Sequence, residues 1–377
     1  MSAALPKTDA ELRAWLRLML TPGVGNHTAR ALLAQLGPPE AIFASTHAQH
    51  LGVVNERVAQ ALAQEPQGLE DAYAQTQHWL SEADHRALVT LDDAHYPPSL
   101  LETADPPLWL FAQGQLACLR QTHAVAIVGS RNPTPQGLAN ARAFAAAMAQ
   151  AQLTVVSGLV LGVDGAAHEG ALRAGGLTIA VVGTGLDRVY PKAHHALAHQ
   201  ICEQGLMLSE YPLGTPPQAA NFPKRNRIIS GLSLGTLVVE AALASGSLIT
   251  ARTASEQGRE VFAIPGSIHA TQSKGCHALI RQGAKLVESA QDVLEELRLS
   301  APLPTSADCE SAPTLTEPTG ECSALLQALG HDPVSLDELS LRTGLPSADL
   351  QAHLLELELS GDAARLPGAR WQRLSLG

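Results

Sequence analysis

AVAIVGSRNPTPQGLANARAFAAAMAQAQLTVVSG, residues 124–158, decides the fold. It contains two short aliphatic runs, AVAIV and LTVV, separated by a segment with the length and composition of a helix. Five more aliphatic runs follow: LTIAVVGTG, LMLSEY, TLVVEA, EVFAIPG and AKLVES. Continuous apolar strands separated by helices of about ten or more residues predict a parallel sheet that is buried on both faces. The sequence therefore predicts a doubly wound α/β fold.

The carboxyl ends of these strands carry glycines, hydroxyls and a basic residue. In chain order the ends are Gly129-Ser130-Arg131, Ser157-Gly158, Gly183-Thr184-Gly185, Glu210-Tyr211, residues 240–247 and Pro265-Gly266. In an open α/β sheet, ligands bind outside the carboxyl ends of the strands. Glycines allow a close approach of the backbone, and amide and hydroxyl donors suit an anion such as phosphate. The sequence thus predicts an anion-binding rim along this edge of the sheet.

Composition and charge exclude some classes of protein. The chain has 377 residues, 45% of them hydrophobic, which fits a globular protein of two or three domains. No run approaches the roughly 18 apolar residues of a membrane span, and MSAALPKTDAELRAW lacks the plan of a secretory signal. We expect a cytoplasmic protein with no membrane partner. The formal net charge is -11, yet residues 121–300 are net positive, with 14 basic and 12 acidic side chains.

Three of these cations lie close together in NFPKRNRIISG, residues 221–231: Lys224, Arg225 and Arg227. A helix over this segment puts four side chains at spacings typical of one face: Arg225, Ile228, Ile229 and Leu232. Cations beside the rim would bind successive phosphates, and Phe222 offers a ring on which a base can stack. The alternative is that the arginines pair with Glu210 and Glu240 and hold the rim together.

Motifs for other chemistry are missing from the sequence. The turn VAIVGSRNPTPQG is not a G-x-G-x-x-G fingerprint, and no G-x-x-x-x-G-K-[ST] run occurs, so we expect neither a nicotinamide cofactor nor a Walker-type nucleotide site. The five cysteines are far apart, which argues against disulfides and against a cysteine zinc site. His194, His195 and His199 have no carboxylate or thiol ligand nearby in sequence, so we expect no metal and no cofactor.

Asp164 and His168, four residues apart after the second strand, invite comparison with a hydrolase. There is no G-x-S-x-G elbow, and Asp164 stands where a helix cap or a first-turn acid belongs. We therefore expect a structural cap and a polar network at these positions.

Five segments, in order and at matching spacing, carry a resemblance to a known family. They are VAIVGSR, VVSGLVLGVDGAAHEGAL, LTIAVVGTGLDRVYPKAHHALAHQI, the long run from LSEYPLG to VFAIPG, and KGCHALIRQGAKLVESAQDVLEEL. They resemble the DprA/Smf DNA-processing family, most densely between residues 108 and 297. The resemblance implies an extended Rossmann-like domain that binds single-stranded DNA, forms a homodimer and helps to load the RecA recombinase during natural transformation.

On the family pattern, single-stranded DNA would be bound at the strand ends and on the basic helix, by Ser130, Arg131, Ser157, Gly158, Lys192, Phe222, Lys224, Arg225, Asn226, Arg227, Gly246 and Ser247. We expect low sequence specificity and no catalytic residue. An enzyme is an alternative, because GLSLGTLVVEA also resembles the glycine-rich turn and Glu of LOG-type nucleotide phosphoribohydrolases, in which Glu240 would be catalytic. A pure interaction scaffold is a second alternative.

Composition and resemblance together divide the chain. Residues 1–70 are predicted to form a small helical, SAM-like domain, in which LTPGVGNHTARALLAQLG, residues 20–37, resembles a helix-hairpin-helix. Its backbone amides either meet a phosphate or belong to a plain helical turn. Residues 71–300 form the extended Rossmann-like domain, and the Pro-, Ser- and Thr-rich stretch 301–320 is a predicted linker.

Residues 321–377 resemble the winged-helix module that often ends members of this family. A DNA-reading helix needs basic or amide side chains, whereas the predicted recognition helix, PSADLQAHLLELELSG, has no Arg or Lys. We therefore expect this domain to bind a protein or to have a regulatory role. Its wing cations, Arg365, Arg370 and Arg373, argue for DNA.

Overall fold

A computed structural model describes residues 7–299, 320–330, 333–366 and 368–374, without the side chains of residues 320–323. The linker predicted over residues 301–320 therefore lies outside the described residues, apart from the backbone of Gly320. Within the described ranges, no helix is long and apolar enough to cross a membrane.

The N-terminal domain consists of short helices. They are α1 Asp9–Leu20, α2 Asn26–Leu36, α3 Pro39–Ala44, α4 His47–Leu51, α5 Glu56–Leu62 and α6 Leu69–Ser81. Side chains cap three of them, because Thr8, Thr46 and Asn55 accept a backbone N–H of the first turn. The apolar faces close around Trp15, which is almost fully buried. The boundary predicted after residue 70 falls in the first turn of α6.

The middle domain is built on one large sheet. Its strands are β1 Arg86–Thr90, β2 Trp109–Gly114, β3 Ala124–Val128, β4 Thr154–Ser157, β5 Thr178–Val181, β6 Leu206–Ser209, β7 Gly235–Val238, β8 Glu260–Ala263 and β9 Lys285–Leu286. They lie in the order β1-β2-β6-β5-β4-β3-β7-β8-β9. Strands β3 to β9 pair in parallel, whereas β2 pairs antiparallel with β1 and β6. The prediction of a mostly parallel α/β sheet is confirmed.

Helices cover both faces of this sheet: α7 Pro98–Leu101, α8 Pro135–Gln150, α9 Val163–Arg173, α10 His195–Gln204, α11 Asn221–Gly231, α12 Ser247–Glu256, α13 Lys274–Arg281 and α14 Ala290–Glu296. Three short 3₁₀ helices cover Leu116–Arg120, Lys192–His194 and Thr271–Ser273. Successive residues of a strand point to opposite faces. In β3, Ala126 belongs to one core cluster, while Val125 and Ile127 belong to the other. The sheet is therefore the central layer of three.

The C-terminal domain contains α15 Gly320–Leu329, β10 Val334–Ser335, α16 Leu336–Thr343, α17 Ser347–Ser360, β11 Ala363–Leu366 and β12 Arg370–Arg373. The strands form an antiparallel sheet in the order β10-β12-β11. Leu339, Leu350, Leu354 and Trp371 are buried in its core. Three helices and a hairpin agree with the winged-helix module that this part of the sequence resembles.

Candidate nucleic-acid interface

A pocket of about 520 Å³ lies at the carboxyl edge of the sheet, beside the ends of β3 and β7. We call it the rim pocket. Seven of the predicted site residues line it: Ser130, Arg131, Phe222, Arg225, Asn226, Gly246 and Ser247. They come from three separate segments of the chain, which the parallel sheet brings to one edge. Of the remaining predicted residues, Ser157 and Gly158 lie buried at the end of β4, and Lys192 is exposed on a 3₁₀ helix.

Close backbone packing shapes the floor of the rim pocket. Gly162, just before α9, has a φ of 87°, and a Cβ at this position would overlap the carbonyl oxygen of Ser130. A Cβ on Gly129 would approach within 2.7 Å of Val163. Only glycine fits at these two positions, because the turn after β3 presses on the start of α9. This packing holds the turn in place and leaves Arg131 exposed.

Arg131 and Phe222 both line the rim pocket, and the ring of Tyr190 packs on Phe222 beside it. The guanidinium carbon of Arg131 lies 5.7 Å from the centre of the Phe222 ring, a cation–π distance. The ring of Tyr190 lies 5.8 Å from that of Phe222, and Tyr190 is 45% exposed. Tyr190 is not among the predicted site residues. Its position in the loop after β5, at the carboxyl edge of the sheet, could have indicated that it belongs to the site. The three side chains place a stacking surface beside a positive charge.

The N-terminus of helix α12 also lines the pocket. Gly246 is the N-cap and provides no capping side chain. The hydroxyls of Ser245 and Ser247 lie 2.7 Å apart at the same end. The N-terminus of a helix carries partial positive charge, which favours an anion. Hydroxyl donors and positive potential from α12 therefore join Arg131 in the lining of the pocket.

Arg225 lines the rim pocket, but it is only 3% exposed. Its Nη1 donates to the carbonyl oxygens of Gly158, at 2.7 Å, and of Val181, while Nε donates to Asn226 Oδ1 at 3.0 Å. A Cβ on Gly158 would overlap this guanidinium. Burial lowers the pKa of Arg225 to about 10, although Asp164 opposes the shift. The guanidinium thus ties the ends of β4 and β5 to α11.

Asp164 is the buried carboxylate next to this guanidinium. It lies in the first turn of α9, and its Oδ2 accepts the backbone N–H of Gly158 at 3.0 Å. Burial raises the pKa of the Asp164 carboxyl, and the charge of Arg225 opposes the rise. Ser157 Oγ donates to the carbonyl oxygen of Ile127 at 2.6 Å. These bonds make the polar network that the sequence predicts, but the predicted cap is wrong: the N-cap of α9 is Gly162, which has no capping side chain, and Asp164 is a first-turn acid that binds the loop before the helix.

His168, one turn further along α9, belongs to a buried polar chain. Thr178 Oγ1 donates to the carbonyl oxygen of Val155 at 2.8 Å, so it accepts from His168 Nδ1–H at 2.7 Å. Burial lowers the pKa of His168 to about 3, because an added proton on the second ring nitrogen has no acceptor there. The imidazole is neutral and structural.

Arg227 is held by two carboxylates. Its Nη2 lies 2.5 Å from Glu210 Oε1, and its Nε lies 3.2 Å from Asp105 Oδ2. The same acids bind α2, since Arg30 Nη1 lies 2.7 Å from Asp105 Oδ1 and Asn26 Nδ2 donates to Glu210 at 3.0 Å. We call these five side chains the rim network. The sequence left open that the clustered arginines pair with Glu210 and Glu240. The pairing with Glu210 is present, through Arg227.

Glu240, which was also considered as a partner of the arginines, binds Thr134 instead. Its carboxylate accepts the Thr134 backbone N–H at 2.9 Å and the Thr134 hydroxyl at 2.5 Å. A Cβ on Gly137 would fall 2.5 Å from Glu240 Cδ, so the carboxylate packs on the first turn of α8. Burial raises the pKa of Glu240, while the bonds from Thr134 oppose this. The carboxylate fastens the start of α8.

A second groove, of about 610 Å³, lies next to the rim pocket, between the N-terminus of α2 and α11. We call it the α2 groove. Its lining includes Gly25, Asn26, His27, Lys224 and Arg227. Of the three clustered cations, Lys224 is the exposed one, since Arg225 is buried and Arg227 belongs to the rim network. Arg30 also points into the network, so a phosphate contact at the predicted helix-hairpin-helix would depend on backbone amides.

The comparisons with known proteins agree with this architecture. A family model described as DNA recombination-mediator protein A matches residues 87–298, and a model of the DprA winged helix domain matches residues 310–369. The chain belongs to the DprA/Smf family. Protein Smf of Escherichia coli is 45% identical over 293 residues, which cover 77% of this chain and 78% of that protein. DNA processing protein DprA of Streptococcus pneumoniae is 52% identical over 206 residues, which cover 55% and 72%.

Two solved DprA structures are also similar. The X-ray structure of DprA from Streptococcus pneumoniae has a TM-score of 0.61 and 39% identity, and the match covers 78% of this chain and 99% of that chain. DNA processing protein A from Helicobacter pylori, which is described by its single-stranded DNA binding mode, has a TM-score of 0.52 and 32% identity over 57% and 97% of the two chains. The predicted family and fold class, including the winged helix, are confirmed. The DNA contacts of individual residues stay predictions.

Proposed function

We propose that this DprA/Smf protein binds single-stranded DNA along the carboxyl edge of its sheet and acts there as a recombination mediator without catalysing a reaction. The observation that carries the proposal is the rim pocket, in which the exposed Arg131 lies over Phe222 beside the N-terminus of α12. The single-stranded DNA binding of the Helicobacter pylori relative supports it.

The exposed cations define the path of the strand. Arg131 lies over the ring of Phe222, and Lys192 follows Tyr190 by two residues in the chain. Lys224 lies in the neighbouring α2 groove. We propose that each neutralises a phosphate while a base stacks on Phe222. Arg225 and Arg227 shape the path from within. Such backbone binding gives low sequence specificity.

Salt dependence tests this path. With three phosphates per protomer and a slope of about -0.7 for each, affinity falls roughly twentyfold between 50 and 200 mM salt. Fluorescence anisotropy with a single-stranded oligonucleotide measures the slope. Arg131→Ala and Lys224→Ala should each reduce it by about 0.7. Arg173→Ala is the matched control, because Arg173 ends α9 at the edge of the sheet away from the rim. An unchanged slope in both rim variants would remove the proposed path.

The enzyme alternative has its own assay. If this protein were a nucleotide phosphoribohydrolase, it would release a base from a nucleoside monophosphate, and Glu240→Ala would abolish the release. We expect no release, because both oxygens of the Glu240 carboxylate bind Thr134. Chromatography of nucleoside monophosphates incubated with the protein decides the matter. Release that depends on Glu240 would overturn the non-enzymatic function.

We further propose that the protein forms a homodimer through the edge of the sheet at β9. This edge is exposed, and Leu286 lies near Leu243 and Ile268, which are 63% and 72% exposed. An unpaired strand with an apolar patch is a surface that proteins normally cover. Sedimentation velocity should show a dimer that Ile268→Asp converts to monomers. Leu101→Ser is the control, since Leu101 is similarly exposed on α7. A wild-type monomer would remove the dimer.

Loading of the RecA recombinase in the cytoplasm during natural transformation completes the proposal, and family membership supports it. The protein should stimulate the ATPase of RecA on single-stranded DNA that is already coated by a single-strand binding protein. Arg131→Ala/Lys224→Ala should lose this stimulation, whereas Arg173→Ala should keep it. If Arg131→Ala/Lys224→Ala stimulated RecA as strongly as wild type, RecA loading would not depend on DNA binding at the rim.

A further inference from the structure

Helix α17 of the C-terminal domain has apolar side chains on two faces. On the inner face, Leu350, Leu354 and Leu357 are buried against the rest of the domain. On the outer face, Leu355 is 54% exposed and Leu359 is 82% exposed. The inner leucines account for the fold of the domain, so the outer ones need a separate explanation.

The outer leucines continue a regular stripe. Ala348, Ala352, Leu355 and Leu359 are all exposed and follow one another at intervals of four, three and four residues. This spacing is the a/d repeat of helices that pair side by side. The two alanines at the N-terminal end of the stripe leave room for bulky side chains of a partner helix. The two leucines at its C-terminal end can insert between side chains of that helix. The stripe has the pattern of a helix-pairing surface.

The charges beside the stripe exclude two occupants. Helix α17 contains no Lys or Arg, and Asp349 and Glu358 are exposed on its two sides. A DNA groove would meet carboxylates instead of the basic and amide side chains that read bases. A second copy of the same helix would bring carboxylates against carboxylates, which opposes pairing. The complementary partner is an apolar helix with cations on its flanks.

We infer that the outer face of α17 is a docking site for a basic amphipathic helix of another protein. The apolar stripe would bind the apolar face of that helix, and Asp349 and Glu358 would face its Lys or Arg side chains. Helix recognition by such a groove or stripe uses anchors at this spacing. The winged-helix module, which carries a DNA-reading helix in other proteins, would here recruit a protein. The inference does not depend on the proposed rim path.

The probe is a synthetic peptide of about three heptads with Ala and Leu at the a and d positions and Lys at e and g. A second peptide has Glu in place of Lys and is otherwise identical. Fluorescence anisotropy with the full chain should show that the Lys peptide binds at least tenfold more tightly than the Glu peptide. Leu355→Ser/Leu359→Ser should weaken binding at least tenfold, because both leucines are exposed and their loss leaves the core intact. Leu101→Ser, at a leucine of similar exposure on α7, should bind like wild type.

A charge exchange gives the decisive arm. Asp349→Asn/Glu358→Lys should bind the Glu peptide more tightly than the Lys peptide, reversing the wild-type preference. Circular dichroism of every variant checks that the overall helix content is kept. Equal binding of both peptides, or no binding of the Lys peptide, would overturn the proposal.

Two other outcomes would assign the stripe elsewhere and would also overturn the inference. A loss of dimer in sedimentation velocity with Leu355→Ser/Leu359→Ser would make the stripe a contact between copies of this chain. A loss of duplex DNA binding in the same variant, with unchanged binding of the Lys peptide, would make it a DNA contact.

Discussion

Replacement of Arg225 by Met should unfold the rim rather than weaken DNA binding alone. Met keeps much of the volume of the buried stem but removes the guanidinium and its bonds to Gly158, Val181 and Asn226. The buried carboxylate of Asp164 then loses the positive charge that opposes the rise of its pKa. Arg225→Met is therefore expected to lower the free energy of unfolding strongly.

The size of the effect follows from the burial of the guanidinium and its acceptors. Without it the carbonyl oxygens of Gly158 and Val181 lose a donor, and a buried polar group left unsatisfied costs about 1–3 kcal/mol, so the two together cost about 2–6 kcal/mol. Unfolding free energies of whole domains are about 5–15 kcal/mol, so the loss is a large part of the total. For a domain of this size, each kcal/mol shifts the Tm by about 2–4 °C, which gives roughly 8–16 °C for the middle of the range.

The pH dependence gives a sharper signature. Burial already raises the pKa of Asp164, and removal of Arg225 would raise it further. A carboxyl with a raised pKa in the folded state binds a proton more readily there than in the unfolded chain. Its cost to stability is absent near the unfolded pKa of about 3.9 and grows as pH rises toward the folded pKa. The deficit of Arg225→Met should therefore be smaller at pH 5 than at pH 8.

Urea unfolding followed by circular dichroism measures both effects, with anisotropy on single-stranded DNA alongside. Lys224→Ala is the matched control, because Lys224 is the exposed neighbour. It should change stability by less than about 0.5 kcal/mol and reduce the salt slope. Arg225→Met/Asp164→Asn should recover part of the loss. An Arg225→Met protein of wild-type stability with a reduced salt slope would refute the structural role and make Arg225 a phosphate contact.

Three further outcomes are expected. His168 has a lowered pKa of about 3 in the fold, so the unfolded chain binds the proton first and stability falls as pH drops below about 6.5. Between pH 6.5 and 4.5 wild type should lose roughly 2 kcal/mol more than His168→Gln in urea titrations, and parallel curves would contradict the assignment. Gly137→Ala should cost about 1–3 kcal/mol because its Cβ meets Glu240, while Gly246→Ala, whose Cβ meets nothing within 4 Å, should unfold like wild type in a thermal scan. Asp292 is the N3 residue of the capping box of α14 and has a lowered pKa owing to the backbone N–H groups that it accepts, so Asp292→Ala should cost about 1 kcal/mol at pH 7, and the difference should shrink in acid unfolding curves as pH falls below the unfolded pKa of about 3.9.

The central sheet could be predicted because its signal is local. Each parallel strand is buried on both faces and is therefore apolar throughout, as in β3, where all five residues are buried. The rim followed from the rule that ligands bind at the carboxyl ends of such strands. The helix over residues 221–231 could also be predicted, because Ile228 and Ile229 have the helical spacing of one face, and that face is buried.

The sorting of the clustered cations could not be predicted from their position in the chain. Lys224 and Arg225 are adjacent, yet one is exposed and the other has bonds to residues that lie more than 40 positions away. One signal was present, since Arg225 shares the helical face of Ile228 and Ile229, a face that becomes buried. The contact between the rings of Tyr190 and Phe222 joins a loop to the first turn of α11, and no local pattern in the sequence indicates its geometry.

The rim network has a consequence for truncated forms of the protein. Asn26 and Arg30 of the N-terminal helices bind Glu210 and Asp105, which flank Lys224 in the same groove. A protein cut after residue 68 would lose one positive charge there and leave Asp105 and Glu210 with Arg227 as their ion-pair partner, beside the proposed path of the strand. It should bind DNA more weakly at this edge even if the missing helices never touch a nucleotide. Arg30 of the N-terminal helices would thus act as a counter-charge for the proposed binding face.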